Sequence, residues 1–438
     1  MILKDLSVFT NDGRFIENGA ILIEGEEITG VYDSPEDVPV RDEALSLPGH
    51  VAIPGLVNAH THIYSALSRG MPLSGYSPRS FTEILEQLWW KLDRRLGLED
   101  VEISAYVAAI ESLKSGVTTL IDHHSSPFSI RGSLDCIADA VNSLGMRCST
   151  CYEISDRDGK EARDEGIAEN VDFISSPSSF RKGLIGLHAS FTVSDETLRI
   201  LSNLDNDLTP IHVHVAEGPE DQEKTMALNG CRVVERLDRW GLLRKDSVLA
   251  HCIHIDQNET TLIENNEAVV VVNPQSNMNN AVGFAGWKGL LEKGIDVGLG
   301  NDGFGFNLAH DARSLVLLPH LLKRNVNITS PDDLCQTFLR VNYELASRLF
   351  GVPLGKIREG YKADISILEY NSPTDIDHQN FCQHFFFGMI DRLSVREVFV
   401  SGKHVLRNGR LAAIEEKDIY EAARKISRKL WLRLEEEV

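Results

Sequence analysis

Short apolar runs that break off on a polar residue recur through the middle of the chain. "HVAIPGLVNAHTH", "GVTTLIDHH", "MRCSTCYE", "GLIGLHAS", "TPIHVHVAE", "SVLAHCIH", "EAVVVVNPQS" and "DVGLGNDG" make eight. Continuous apolar runs of this kind suit parallel strands buried on both faces. Between most of them apolar residues return at three-four spacing, as in "DVEISAYVAAIESLKSG", "SLDCIADAVNSLG", "SDETLRILSNL" and "GCRVVERLDRWG". That period predicts helices with one buried face, and several end on glycine, which suits a helix C-terminus. Eight strands alternating with helices predict an α/β fold, a (β/α)8 TIM-like barrel.

The two ends of the chain follow a different period. "AILIEGEEITGVY" reads as two short strands around a turn at Gly25. "KADISILEY" and "VREVFVSGKHVLRNGR" repeat that grammar, with turns at Ser401-Gly402 and Asn408-Gly409. The expectation is one small β-sandwich domain formed by both termini, residues 1–54 and 355–438, beside a barrel of residues 55–354. "DIYEAARKISRKLWLRLEEE" closes the chain as an amphipathic helix whose basic face is read as solvated.

Composition narrows the function classes. At 438 residues the chain exceeds one ordinary domain. A formal net charge of -21 repels a phosphate backbone, which argues against nucleic acid as a partner. No apolar run is long enough for a membrane span. The start, "MILKDLSVFTNDGRF", does not read as a signal peptide, so a cytoplasmic protein is expected. Seven cysteines do not read as a disulfide framework. Cys148 and Cys151 are read as small buried residues, with a redox role as the lesser alternative.

The polar residues that end the strands carry the chemistry. Barrel active sites are built at the C-terminal ends of the strands. His60 and His62 end the first run and share a face, because alternate residues of an extended chain do. Alone, H-x-H is a weak signal, and "IHVHVAE" holds a second, His212 and His214. The strength lies in convergence: His214 ends the fifth run, His251 the sixth and Asp302 the eighth. Glycines on both sides of "ND" suit a tight turn close to a ligand. Glu217, three residues beyond His214, suits a proton shuttle, although "EGPEDQE" alone reads as a solvated acidic loop. His188 at the fourth strand end is read as a donor that polarises substrate, with a structural histidine as the alternative. No lysine accompanies it, which favours one metal over two. His251 is preferred to His254 because it directly follows its apolar run. His123 and His124 are evenly balanced between facing substrate and orienting a ligand. Glu153 and Arg157 either read polar groups of a substrate or pair with each other.

"PGLVNAHTH", "HVHVAE", "LAHCIH" and "GNDG", in this order, resemble the amidohydrolase superfamily in its mononuclear deaminase and chlorohydrolase branch. "SALSRGM", "LWWKLDR", "IDHHSSP", "SNMNN" and "GYKADISILEYNSPT" look most like the SsnA group of aminohydrolases, over almost the whole chain. The resemblance implies His60, His62, His214 and Asp302 as ligands of one divalent metal, zinc first, with iron or manganese also fitting. It implies Glu217 as the proton-shuttling acid, His251 as the group beside the attacking water, and His188 as a substrate histidine. Many relatives have Thr or Ser before the final Asp, where this chain has Asn301.

Together these features lead us to expect a metal-dependent aminohydrolase that deaminates a small, purine-like nitrogen heterocycle. Catalysis is assigned to Glu217, His251 and Asp302, and substrate contact to His188, His124, Glu153 and Arg157. The alternatives are hydrolysis of a cyclic amide or chloro-heterocycle on the same metal, and a catalytically silent binding protein. The stretch "GMPLSGYSPRSFTEILEQLWWKLDRRL" is long for a barrel connection and reads as a lid. Within it, at least one of Trp89 and Trp90 is expected merely to pack. A homodimer is compatible with the sequence, and no stretch demands it.

Overall fold

Gly55 divides the first apolar run into two strands with different destinations. His50–Pro54 joins the sheet of the termini, and Leu56–Thr61 opens the barrel. A Cβ at Gly55 would lie 2.4 Å from the Thr118 methyl, so the chain passes here only without a side chain. The computed structural model describes residues 1–41, 43–204 and 209–435.

The other barrel strands are Val117–Asp122, Arg147–Thr150, Ile185–Ala189, Ile211–Val215, Val248–His251, Val269–Val272 and Val297–Leu299. All pair in parallel, in two arcs of four and five strands. The fourth strand is split at Leu184. Its first part, Arg181–Gly183, pairs with the third strand, and Ile185–Ala189 pairs with the fifth. Parallel bridges from Ile154 to Leu187 and from Thr61 to Asp302 close the ring. The second bridge sets the end of the eighth strand against the two histidines of the first. The helices expected from periodicity are present at Leu98–Lys114, Ser133–Ser143, Asp195–Ser202 and Val233–Arg239.

The termini meet where His50–Pro54 pairs antiparallel with Ile365–Glu369. The expected sandwich is, by hydrogen bonding, one nine-stranded sheet. Register shifts between Lys4 and Val8 bend its Ile2–Phe9 strand, and Leu3, Leu6, Ile21, Ile28, Ile365 and Phe399 form a core on it. Its hairpins turn at Gly25, Ser401-Gly402 and Asn408-Gly409, all with positive φ. The C-terminal helix Glu416–Glu435 buries Leu430, and Trp431 donates to the Leu67 carbonyl at 2.9 Å. Arg424, Lys425 and Arg428 are exposed as expected, whereas Arg433 pairs with the buried Asp100 at 2.5 Å. Cys148 and Cys151 are free and buried. Cys335 and Cys382, 47 residues apart, form a disulfide that no local spacing announces. Among the described residues no helix is long and apolar enough to cross a membrane.

Arg147 ties the third barrel strand to the sheet of the termini. It is fully buried, and its guanidinium meets Asp364 at 3.0 and 3.1 Å and the Ser401 hydroxyl at 2.6 Å. Replacing Arg147 with Met would strand the Asp364 carboxylate in the interior. The expected loss is about 3–5 kcal/mol of unfolding free energy, measured by urea titration.

Candidate active site

Four side chains from three strand ends converge above the barrel. His62 Nε2 stands 2.9 Å and His60 Nε2 3.5 Å from Asp302 Oδ1. His62 Nε2 and His214 Nε2 are 3.1 Å apart. His60, His214, His251 and Asp302 form one group with metal-binding spacing, and His62 joins His214 in an adjoining one. The loop after the eighth strand brings Asp302 here. A Cβ on Gly300 would lie 2.6 Å from the His60 carbonyl oxygen, which instead accepts from the backbone N–H groups of Asn301 and Asp302. Asp302 itself has φ 56°. Asn301 departs from the commoner Thr or Ser and accepts from the buried Asn58 at 2.8 Å.

The donor set fits a divalent ion. His62 Nδ1 donates to the His123 carbonyl at 2.6 Å, and His214 Nδ1 to the His188 carbonyl at 2.8 Å. Both Nδ1 atoms therefore carry their hydrogens, and the two Nε2 atoms, the ones left to bind a metal, face each other. Neutral imidazoles repel in that arrangement unless a cation lies between them. His60 Nδ1 is held by His212 Nε2 at 2.8 Å, while His60 Nε2 is buried with no partner. Donor atoms 2.9 to 3.5 Å apart suit ligands sharing one ion at about 2.0–2.2 Å. Burial drives His60 down to about 3 and His214 well below its ordinary value, the neutral state a ligand needs. Burial acts the same way on His62, but the Asp302 carboxylate overrides it and raises the ring to about 9.

A single short helix, Pro274–Asn279 with Asn280 at its end, holds the three acid–base groups. Ser276 donates to Asp302 Oδ2 at 2.5 Å, Asn277 Oδ1 accepts from His251 Nδ1 at 2.8 Å, and Asn280 donates to Glu217 Oε1 at 3.2 Å. His251 Nε2, otherwise without a hydrogen-bond partner, is 3.4 Å from Glu217 and 3.9 Å from Asp302. The His251 backbone holds φ 72°, a strained conformation for a non-glycine residue that aims the ring inward. Burial pushes the Glu217 carboxyl up to about 7, with Asp302 adding to the shift and His251 opposing it. Glu217 is therefore a ready proton donor near neutrality. Ser276, Asn277 and Asn280 had no assigned part in the sequence reading; their one signal is the polar "NPQSNMNN" following an all-valine strand.

A cavity open to solvent reaches from this cluster to the connection after the first strand. That connection supplies Phe81, Leu85, Trp89, Trp90 and Asp93 to the wall. Both tryptophans line the cavity, where at least one was expected merely to pack. Glu153 and Arg157 also line it and pair with each other at 2.9 Å. His188 faces the cavity, but not as the expected donor. Its Nδ1 donates to Thr192 Oγ1 at 2.6 Å, and that hydroxyl spends its hydrogen on the Ala189 carbonyl. Burial lowers the ring to about 3, so Nε2 is left as an acceptor. His124 is not among the cavity-lining residues. It is fully buried, with Nε2 2.9 Å from Ser126 Oγ, because the tandem pair sends adjacent side chains opposite ways. His123 lies beneath the cluster, near the Leu187 and His212 carbonyls at 3.1 and 3.2 Å. His254 donates to or accepts nothing at the cluster; its Nε2 meets the Val282 carbonyl at 3.0 Å.

A parallel barrel with imidazoles and a carboxylate converging at its strand ends defines a metal-dependent hydrolase. Residues 51–405 match the Amidohydrolase family, and the chain belongs to that family. It is 30% identical to the 5'-deoxyadenosine deaminase of Methanopyrus kandleri over 427 residues, 93% of this chain and 94% of the relative. It is 28% identical to the 5-methylthioadenosine/S-adenosylhomocysteine deaminase of Halothermothrix orenii, covering 98% of this chain and 99% of that one. The fold is shared with a zinc-bound adenosine deaminase from Xanthomonas campestris, with TM-score 0.84, 22% identity and 98% of each chain covered. It is shared too with the zinc-complexed atrazine chlorohydrolase TrzN from Arthrobacter aurescens, with TM-score 0.81, 22% identity, and 97% and 99% covered.

Proposed function

We propose that this chain hydrolyses the exocyclic amine of an adenosine-like heterocycle, releasing ammonia, at a single zinc site held by His60, His62, His214 and Asp302. The observation that carries the reading is the convergence of His62 Nε2 on His214 Nε2 at 3.1 Å and on Asp302 Oδ1 at 2.9 Å. The deaminase names of full-length relatives support the choice of bond and ring. A divalent ion there supplies one thing, activation of a water molecule by lowering its pKa from about 15.7 toward about 7.

The chain's own groups do the rest. Asp302 takes the water's proton, steadied by the Ser276 hydroxyl on its Oδ2. His251, oriented by Asn277, fixes the direction of attack on the ring carbon that bears the amine. Glu217 delivers its proton to the neighbouring ring nitrogen, which draws electrons from that carbon. The carbon–nitrogen bond then breaks: the proton held at Asp302 leaves with the amine as ammonia, while the added hydroxyl becomes the ring carbonyl and returns its proton to Glu217. The aromatic wall of Tyr64, Trp89, Trp90 and Phe304 accepts a flat ring and limits bulk water.

Stripping the protein with a chelator is expected to abolish ammonia release from 5'-deoxyadenosine or adenosine, and zinc to restore it. Unchanged activity in protein shown metal-free by elemental analysis would overturn the reading. Chloride release from a chloro-heterocycle, without ammonia from any amine, would redirect it to halide hydrolysis.

A further inference from the structure

We infer that the part of the cavity walled by Asp93, Glu153, Arg157 and His188, beside the histidine cluster, accepts a neutral or cationic, hydrogen-bond-donating part of the substrate and refuses an anionic one. The inference rests on the deaminase reading and sharpens it: among adenosine-like amines it selects those without a phosphate or carboxylate tail.

Charge is the first reason. Asp93, Glu153, Glu217, Asp221 and Asp302 line the cavity, and among the described lining residues Arg157 is the one guanidinium, with no lysine. An arginine that reads a substrate anion needs its fork free. Here Arg157 Nη2 is 2.9 Å from both Asp93 Oδ2 and Glu153 Oε1, and Nε is 3.3 Å from Asp158 Oδ2. The Trp90 ring lies 5.2 Å from its central carbon. Asp158 also takes Arg94 Nε at 2.7 Å. This local group therefore sets three carboxyl groups against two guanidinium groups. With Asp93 ionised the balance is negative; with Asp93 protonated it is zero. In neither state is a positive charge left over for a phosphate.

The second reason is which atoms remain unpaired. Asp93 is 1% exposed, lines the cavity, and its Oδ1 is buried without a hydrogen-bond partner. A buried acceptor in that condition costs free energy until a donor reaches it. Nearby, His188 Nδ1 is taken up by Thr192 Oγ1 at 2.6 Å, which leaves Nε2 as the ring's remaining polar atom. A substrate hydroxyl or amino group satisfies these atoms. A phosphate or carboxylate brings only more acceptors and negative charge.

The test uses the full-length, zinc-loaded protein and paired probes: adenosine against adenosine 5'-monophosphate, and adenosine against adenosine 5'-carboxylic acid. Ammonia release gives kcat/KM, and equilibrium dialysis gives Kd. The uncharged member of each pair is expected to lead by about 100-fold or more, as unfavourable charge placement against a buried acidic wall dictates. Asp93→Asn is expected to narrow the adenosine to adenosine monophosphate ratio by about 10-fold, whatever it does to the absolute rates. Comparable kcat/KM or Kd within the wild-type pairs would overturn the inference and leave the deaminase reading standing. A ratio unmoved in folded Asp93→Asn would also overturn it, assigning the preference to size alone. The wild-type comparison stands by itself if that variant does not fold. Neither ammonia nor binding from any probe would overturn the deaminase reading, and the inference with it.

Discussion

Asp302→Ala is expected to lower ammonia release by on the order of 10^4-fold, the upper end for an acid–base group, because the residue serves two purposes. Its Oδ1 stands 2.9 Å from His62 Nε2 and 3.5 Å from His60 Nε2, at the centre of the donor set. Its Oδ2 takes the Ser276 hydroxyl and stands 3.9 Å from His251. Removing the carboxylate therefore removes one ligand and the base that receives the water's proton. Zinc content by elemental analysis is expected to fall together with rate. A variant that keeps full metal and wild-type kinetics would refute both roles at once. Asp302 also bridges to Thr61, so circular dichroism is the control that separates lost chemistry from a loosened fold.

Glu217→Gln is expected to cost about 10^3-fold in kcat with the metal retained, because glutamine keeps the shape but cannot deliver a proton. Burial has raised this carboxyl to about 7. The protonated form is the working one; it predominates below that value and is lost as pH rises through it. The wild-type kcat/KM profile should therefore fall on its alkaline side from about pH 7. In Glu217→Gln that limb should be absent from the residual rate. An unchanged limb in the variant would assign the titration to another group. Asn280, which donates to Glu217 at 3.2 Å, favours the charged form and so keeps the shift from going further.

The barrel could be read because its strands are buried on both faces. An apolar run with a polar end is all that such a strand can show, and a catalytic residue at that end is all the site needs. Two features blurred the reading. The first run is apolar straight through Gly55, so nothing marked the point where one sheet hands over to the other. The fourth strand is likewise continuous in sequence but split at Leu184 between two neighbours. Within the site, His60, His62, His214, Glu217, His251 and Asp302 were legible as strand-end residues, and the structure brings them together. The part played by His188 was not, since its tautomer is set by Thr192 and Ala189, a contact that strand spacing does not encode. His124 was misplaced because a tandem pair does not reveal which member faces inward. Ser276, Asn277 and Asn280 share one helical face through three- and four-residue spacing, yet their partners are 26 to 63 residues away in the chain. The Cys335–Cys382 pair belongs to the same class of long-range fact.

The Pro274–Asn280 segment gives the molecule a division of labour. Glu217, His251 and Asp302 come from three different strands, but their mutual alignment is delegated to one turn and a half of backbone. Disturbing that one segment would therefore misalign all three groups together. Phe81, Leu85, Trp89, Trp90 and Asp93 belong to a separate connection, which can be lengthened, shortened or repopulated without retuning the proton circuit. Substitutions in that connection are thus expected to alter what the cavity admits before they alter the alignment of Glu217, His251 and Asp302.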